Sequence, residues 1–486
     1  MQTAADEALH IHFDDALAKI PVGRFHIRLL ILCGLGFSAC TMEMTLLGFL
    51  LTELREGEWK VSEVYLGLMS TLVAGASIFG QWLFGPCADL FGRRGVFVTS
   101  VILGVVGGLI SAVAPNLTVL VMARMLVNFG LGGTIVVDFA LFSEFLPTQA
   151  RGRMMILMSC FWAVGQLLEC LLAWSLLPTF GWRVFMAASA VPSLLAAFLR
   201  PWMPESARWL LTQGRTEEAT EIMHAIGEEC GEDCIPVGAM LYLGAESTQD
   251  INKPGGQLVS ECWTMLSRLL SPPLLRTTLG MVCYAWALEM SSYIATTLMP
   301  TLFEAKGLEG QGMYFGMTVS SLAMCIGLAL AILFASYSIG RLRSMQFFIT
   351  ALCLSLATFS FVGTRTSIGF SCLSSAFLEG GWALFQVYGP EVYPTQLRAT
   401  AVGTVSSLGS LFALVAPLPV SVILKSYGAT TAICSFVGVC GVLGFLSTAV
   451  LLRVETLGRD LDDLSMEEDE DSLPVKASRK DYGAVA

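Results

Sequence analysis

Twelve stretches of mostly apolar residues, each about 20 long, divide this chain, and that is the length a helix needs to cross the hydrocarbon core of a bilayer. They fall at 27–51, 64–84, 96–115, 117–141, 154–177 and 183–202, then at 274–302, 312–335, 344–363, 367–390, 399–425 and 428–453. Composition closes off the soluble alternative. Of the 486 residues, 55% are hydrophobic and 14% charged, against about 25% charged in an average soluble domain. In lipid, only helices and closed barrels satisfy their own backbone polar groups. Runs of this length therefore predict an all-α membrane protein, with frequent Gly letting its helices approach closely.

The segment before Phe25 is polar and lacks an apolar core, so no cleavable leader is expected and the first span doubles as the insertion signal. Positive charge favours cytoplasmic loops. With the N-terminus inside, the outer loops and helix ends hold only Arg55, Lys60, Arg183, Lys306, Arg365 and Lys425 of the 28 Lys and Arg. That asymmetry predicts a multi-pass protein of a plasma, vesicle or organelle membrane with both termini cytoplasmic. The longest interruption separates six spans from six. The expected organisation is a cytoplasmic segment 1–24, a six-helix bundle 25–203, a central cytoplasmic loop 204–272, a second six-helix bundle 273–455 and an acidic cytoplasmic tail 456–486. The tail carries "MEEDED" (466–471), adds to a formal net charge of −11, and reads as a solvated end.

Several features carry no chemistry. The 14 cysteines lie mostly inside spans, as with Cys33, Cys160, Cys283 and Cys372, and read as small core residues. Cys230 and Cys234 in "CGEDC" lack the further ligands a metal site needs. "NLT" (116–118) sits in a loop too short to be a ready glycosylation acceptor. No basic patch supports nucleic-acid binding. No P-loop is present to power a pump, and no nucleophile and base converge, so neither an enzyme nor a cofactor is expected.

Two motifs organise the chain. "EFLPTQARG" (144–152) recurs half a chain later as "EVYPTQLRA" (391–399). A six-plus-six arrangement with repeated motifs is the mark of carriers whose halves move around a midplane site. Between spans 2 and 3 stands "GPCADLFGRRG" (85–95). There Gly85 allows close helix packing, Asp89 can pair with Arg93, Arg94 or a neighbouring helix end, and Gly92 supports a tight turn.

These two motifs and "PESARWLLTQGR" (204–215) resemble the major facilitator superfamily, within it the sugar-porter and organic-ion-transporter clan. "FDDALAKIPVGRFH" (13–26), "MEM" (42–44), "FWAVGQLLECLLAW" (161–174), "SPPLLRTT" (271–278) and "ETLGRDL" (455–461) narrow the resemblance to the synaptic-vesicle-protein-related branch, with organic-cation/carnitine-type carriers and niacin permeases. The resemblance implies twelve transmembrane helices in two pseudo-symmetric six-helix bundles, the major facilitator fold, acting as a monomer. It places Asp89, Arg93, Arg94, Glu144, Arg151, Glu391 and Arg398 in a cytoplasmic gate. The second-half counterpart of the loop, "YSIGRLR" (337–343), keeps Gly340 and Arg341 but has Tyr337 in place of the carboxylate. That departure predicts a gate resting mainly on the first half.

Ionisable residues at membrane depth are costly and usually functional. Glu43, Arg124, Glu169, Glu289 and Glu379 lie inside spans, and Asp138 lies nearer the inner end of span 4. At 1.5 Å per residue, Glu43 sits roughly 13 Å and Arg124 roughly 10 Å from the outer ends of their helices. They resemble the acid–arginine pair that couples protons in bacterial sugar porters, and a static ion pair is the competing reading. Glu43 in "MEM" and Glu289 in "LEM" occupy equivalent places in the two halves. Glu169, Glu289 and Glu379, with Trp286, Tyr293 and Trp382 nearby, form the candidate substrate site. Carboxylates near aromatic faces suit an organic cation or zwitterion. A niacin-like anion would use Arg124 or enter with a proton. The neutral donor–acceptor pair expected of a sugar porter in span 7 is absent from "WALEMSSYI" (286–294). The expectation is a proton-coupled transporter of a small organic ion. A sugar or polyol porter, or a non-transporting vesicle or receptor protein, remains the alternative.

Overall fold

The computed structural model describes residues 10–57, 59–231, 240–242, 258–299, 302–303, 306–308, 311–336, 339–394, 397–415, 434 and 436–456. The acidic tail, Cys234, Tyr337 and the second-phrase Thr395 and Gln396 lie outside them.

The chain is almost wholly helical. A short strand β1 (His10–His12) and α1 (Phe13–Lys19) precede α2 (Arg24–Glu56), α3 (Glu63–Phe91), α4 (Arg93–Ala112), α5 (Leu117–Glu144) and α6 (Thr148–Leu199). Two short helices, α7 (Ala207–Thr212) and α8 (Thr216–Cys230), lead to strand β2 (Met240–Tyr242), which pairs in parallel with β1. The second half holds α9 (Leu258–Leu269), α10 (Pro272–Ser292), α11 (Gln311–Ser336), α12 (Arg341–Phe361), α13 (Thr364–Val392) and α14 (Arg398–Val415). The last helix is α15 (Phe436–Leu451).

Among the described residues, eight helices are long and apolar enough to cross a bilayer. One of them, α6, runs for 52 residues and covers two expected spans. Composition predicts a turn between 177 and 183, yet the only non-helical residue there is Gly181, at φ 75. Gly reaches that conformation without a Cβ clash, so one residue separates an arm at 148–180 from an arm at 182–199. Span 7 is α10 continued by a π-helical turn, Tyr293–Leu298. Spans 11 and 12 correspond to α14 and α15, with 416–433 between them outside the described residues.

Burial inverts the soluble pattern. Large apolar residues such as Phe79, Met122, Phe198, Leu354 and Phe361 face outward, whereas Glu43, Arg124, Asp138, Glu169 and Glu379 are inside. Lipid accepts the first group and would penalise the second. Within the first half, Gly130 lies against the Ser100 carbonyl and Gly132 against that of Ser77. A Cβ at either position would collide with backbone, so these glycines set how closely α5 approaches α4 and α3. Across the halves, α3 packs along α14, and α6 packs along α11 and α13.

Candidate functional site

At one end of the bundle, called the gate end because the gate motifs implied by the resemblance fall there, both halves build the same device. A single glycine turns the chain between α3 and α4: Gly92, at φ 99. The freed N-terminus of α4 is capped by Glu205, which accepts from Arg93 N at 3.0 Å and Arg94 N at 3.2 Å. A carboxylate there satisfies orphan N–H groups and the positive end of the helix dipole. In the second half Gly340, at φ 90, precedes α12. Glu455 accepts from Arg341 N at 2.7 Å and Leu342 N at 3.3 Å. The residue after each capping glutamate donates its hydroxyl to the repeated-phrase glutamate of its half: Ser206 to Glu144, and Thr456 to Glu391 at 2.6 Å.

The carboxylates then diverge. Glu144 pairs with Arg93 in its own half and reaches Arg398 of the other half at 3.1 Å. Asp89 takes Arg93 Nη2 at 3.3 Å on one oxygen. Its other oxygen accepts from Thr400 N and Thr400 Oγ1, both at 2.8 Å, at the start of α14. Trp209 Nε1 donates to the Asp89 carbonyl at 2.8 Å. Glu391, by contrast, pairs with Arg341 at 3.4 Å within the second half. Arg398 also donates to Pro390 O at 2.8 Å, and Arg151 to Leu146 O at 3.3 Å. Arg341 lies against Gly152 of the first half. Gly85 is buried in α3, and Arg94 is exposed. The bonds from Arg398 and Thr400 that cross the seam at this end thus run to first-half carboxylates.

Glu205, Ser206, Glu455, Thr456 and Thr400 are the residues that motif reading left unassigned. The signal was present as a glutamate followed by a hydroxyl residue in both "PESARW" and "ETLGR". Its meaning needs the contact with helix starts more than a hundred residues away.

The membrane charges separate into distinct groups. Arg124 Nη1 donates to Glu43 Oε2 at 2.6 Å, and Nη2 to the Glu43 carbonyl at 2.9 Å, all buried. Glu169, expected beside the other cavity glutamates, lies instead with this pair. It is fully buried, within electrostatic reach of Glu43 and Arg124, and accepts from Ser189 at 2.7 Å. Its depth was readable from the sequence, but the rotation of α6 that turns it into its own half was not. Nearer the gate end Arg200 pairs with Asp138 at 3.2 Å and stacks on the Phe97 ring.

On the second half, Ser410 donates to Glu289 at 3.2 Å and Trp286 Nε1 to the Leu408 carbonyl at 2.6 Å, tying α10 to α14. Trp382 Nε1 donates to Ser292 Oγ at 3.0 Å, which brings α13 beside α10 one turn from Glu289. Tyr293 follows Ser292 and is half-buried. On α13, Gly380 and Gly381 face Phe348 and Leu288. Glu379, Trp382 and Gln386 share the opposite face, three and four residues apart. Gln386 meets Ser159 of α6 at 3.2 Å, and Glu379 lies within electrostatic reach of Cys160. Glu379 therefore stands on the seam between the halves. It is 3% exposed and has no hydrogen-bond or ion-pair partner among the described residues.

A helical bundle with a duplicated charged network at one end and buried charges at membrane depth is the arrangement of a membrane transporter. Residues 27–467 match the family described as sugar (and other) transporter, and the chain belongs to that family. It is 31% identical to the putative transporter svop-1 of Caenorhabditis elegans, over 95% of this chain and 89% of that one. It is 30% identical to organic cation/carnitine transporter 7 of Arabidopsis thaliana, over 94% of this chain and 97% of that one. Among solved structures, the proton:xylose symporter XylE bound to 6-bromo-6-deoxy-D-glucose matches 91% of this chain and 99% of its own, with a TM-score of 0.72 at 18% identity. That likeness is one of fold.

Proposed function

We propose that the protein is a proton-coupled carrier of a small organic cation or zwitterion, working by alternating access. Two six-helix units, 25–203 and 273–455, rock about the seam, and the loop 204–272 joins them. The gate end faces the cytoplasm, as do both termini, and the carrier acts as a monomer. Its partners are the lipid bilayer, protons and the solute.

The observation that carries this reading is Glu379. An uncompensated carboxylate out of water is unfavourable by several kcal/mol. The site is electrically incomplete until a proton or a cationic group joins it. Trp382 on the same face, with Trp286 and Tyr293 on the adjacent helix, supplies aromatic surface for such a group. Glu289, on α10 one turn from the Ser292 that Trp382 bonds, is a second carboxylate of this half. A niacin-like carboxylate is disfavoured because Arg124 already gives both terminal nitrogens to Glu43. A sugar brings no charge, so Glu379 would then need a proton of its own. The similarity to an organic cation/carnitine transporter points the same way.

Thermal unfolding of the purified protein tests the reading. A ligand present at 100 times its Kd stabilises by about 2.7 kcal/mol. Tetraethylammonium or carnitine should raise the midpoint of the wild type and leave Glu379→Gln unmoved. A shift with nicotinate or xylose alone would overturn the assignment. Binding without any solute movement in reconstituted vesicles would favour the receptor alternative.

A further inference from the structure

Glu43, Arg124 and Glu169 come from three different helices, α2, α5 and the first arm of α6, and none is more than 2% exposed. Glu43 holds the guanidinium through Oε2 and its own carbonyl. Glu169 accepts from Ser189 on Oε1, while its Oε2 is buried with no hydrogen-bond partner among the described residues. Arg124 Nε is equally buried and equally unpartnered. The titratable groups that face Glu169 are Glu43 from α2, Arg124 from α5 and Cys170 from its own helix. The second arm of α6 contributes the neutral Ser189, and α11 presents the neutral Ser321 to Cys170.

Two carboxylates against one guanidinium leave a negative charge uncompensated among buried side chains, which is strongly unfavourable. One proton removes the excess. Glu43 is the member gripped by Arg124 at 2.6 Å, so it is the ionised one. The proton belongs on Glu169, at the oxygen that has nothing else to bond.

We propose that Glu169 is a second proton-carrying residue of the coupling site, holding a proton at Oε2 while Glu43 grips Arg124 and yielding it when Glu43 is protonated. The exchange balances. A proton arriving at Glu43 Oε2 forms an O–H bond and breaks the ion pair. Arg124 turns to Glu169, whose O–H bond breaks as its carboxylate takes up the guanidinium. One proton is bound, one is released, and the charge of the pocket is the same before and after. Release occurs beside the seam: Gln166, one turn from Glu169, donates to Ser321 of α11 at 3.3 Å across the halves.

The consequence for transport rests on the proton coupling proposed above, whereas the protonation state can be read without any solute. Infrared spectra of the purified, solute-free protein should show the C=O stretch of a protonated carboxyl group that shifts in D2O and disappears in Glu169→Gln. The same component should also disappear in Glu43→Gln, because the freed guanidinium then ionises Glu169. A spectrum unchanged by Glu169→Gln overturns the proposal, and so does a Glu169 component that survives in Glu43→Gln. Should Glu169→Gln fail to fold, the Glu43→Gln spectrum decides alone. In proteoliposomes offered tetraethylammonium or nicotinate under a proton gradient, Glu169→Gln should lose gradient-driven accumulation, and Glu169→Asp should recover part of it. A wild-type pH profile in Glu169→Gln overturns the coupling role. If the wild type accumulates neither probe, the transport reading fails and the infrared result still decides the protonation.

Discussion

Replacing Thr400 with Val tests whether the gate end is held shut by first-half carboxylates. The substitution keeps the shape and the Thr400 N–H bond to Asp89, and removes the 2.8 Å bond from Oγ1 together with that hydroxyl's 3.7 Å contact with Met265 Sδ. Asp89 retains Arg93 on its other oxygen, so no buried charge is orphaned. A hydrogen bond to an ionised group contributes about 1.5–3 kcal/mol. If that bond exists only while the halves are closed at this end, its loss shifts the closed–open equilibrium roughly 10- to 150-fold towards open. Hydrogen-exchange mass spectrometry in lipid nanodiscs reads the shift at peptides covering 85–94 and 398–404, where exchange should accelerate by that factor. Thr404→Val is the matched control, since Thr404 Oγ1 bonds only the Thr400 carbonyl of its own helix. Acceleration under twofold in Thr400→Val, or equal acceleration in both variants, would refute the idea that this bond crosses a moving seam.

Further expectations concern the glycine turns, the second ion pair and pH. Gly92→Ala places a Cβ against the Glu205 carboxylate and the Trp209 ring at φ 99; strained backbone of this kind costs about 1–3 kcal/mol, which thermal unfolding should register, with Gly340→Ala behaving alike. Asp138→Asn leaves Arg200 buried without its counter-charge, a loss of about 3–5 kcal/mol, and the joint change Asp138→Leu with Arg200→Met should restore most of the unfolding midpoint. Because a protonated Glu379 cannot pair with a cation, stabilisation by tetraethylammonium should shrink as pH falls, and a pH-independent shift would count against Glu379 as its partner.

Much of this architecture was legible in the chain. Apolar runs fixed where the helices lie, since a helix in lipid is limited by bilayer thickness. The repeated phrase put Glu144 and Arg398 at equal places in two halves, and the resemblance to the major facilitator superfamily implied that they belong to a gate. What the phrase could not say is that Arg398 crosses to Glu144 while Glu391 stays with Arg341. Both choices obey the same spacing, and packing decides between them. Glu43 and Arg124 could be matched by depth alone, because each helix is a ruler of 1.5 Å per residue. Glu169 could not be placed that way. Depth along α6 is readable, but the direction a side chain takes around the axis depends on which neighbours the helix finds. The break between spans 5 and 6 was overestimated for a related reason: apolar content falls near 178–182, yet backbone geometry needs only Gly181 to reverse the chain.

The central claim is that this transporter moves an organic cation or zwitterion using a proton gradient. Uptake into proteoliposomes, with an imposed pH difference, measures it most directly. The account predicts that tetraethylammonium or carnitine accumulates above its external concentration only with the gradient. Glu43→Gln should abolish the accumulation and Glu379→Gln should abolish binding. Accumulation that persists undiminished in Glu43→Gln, or a protein that equilibrates xylose and ignores both cations, would contradict it.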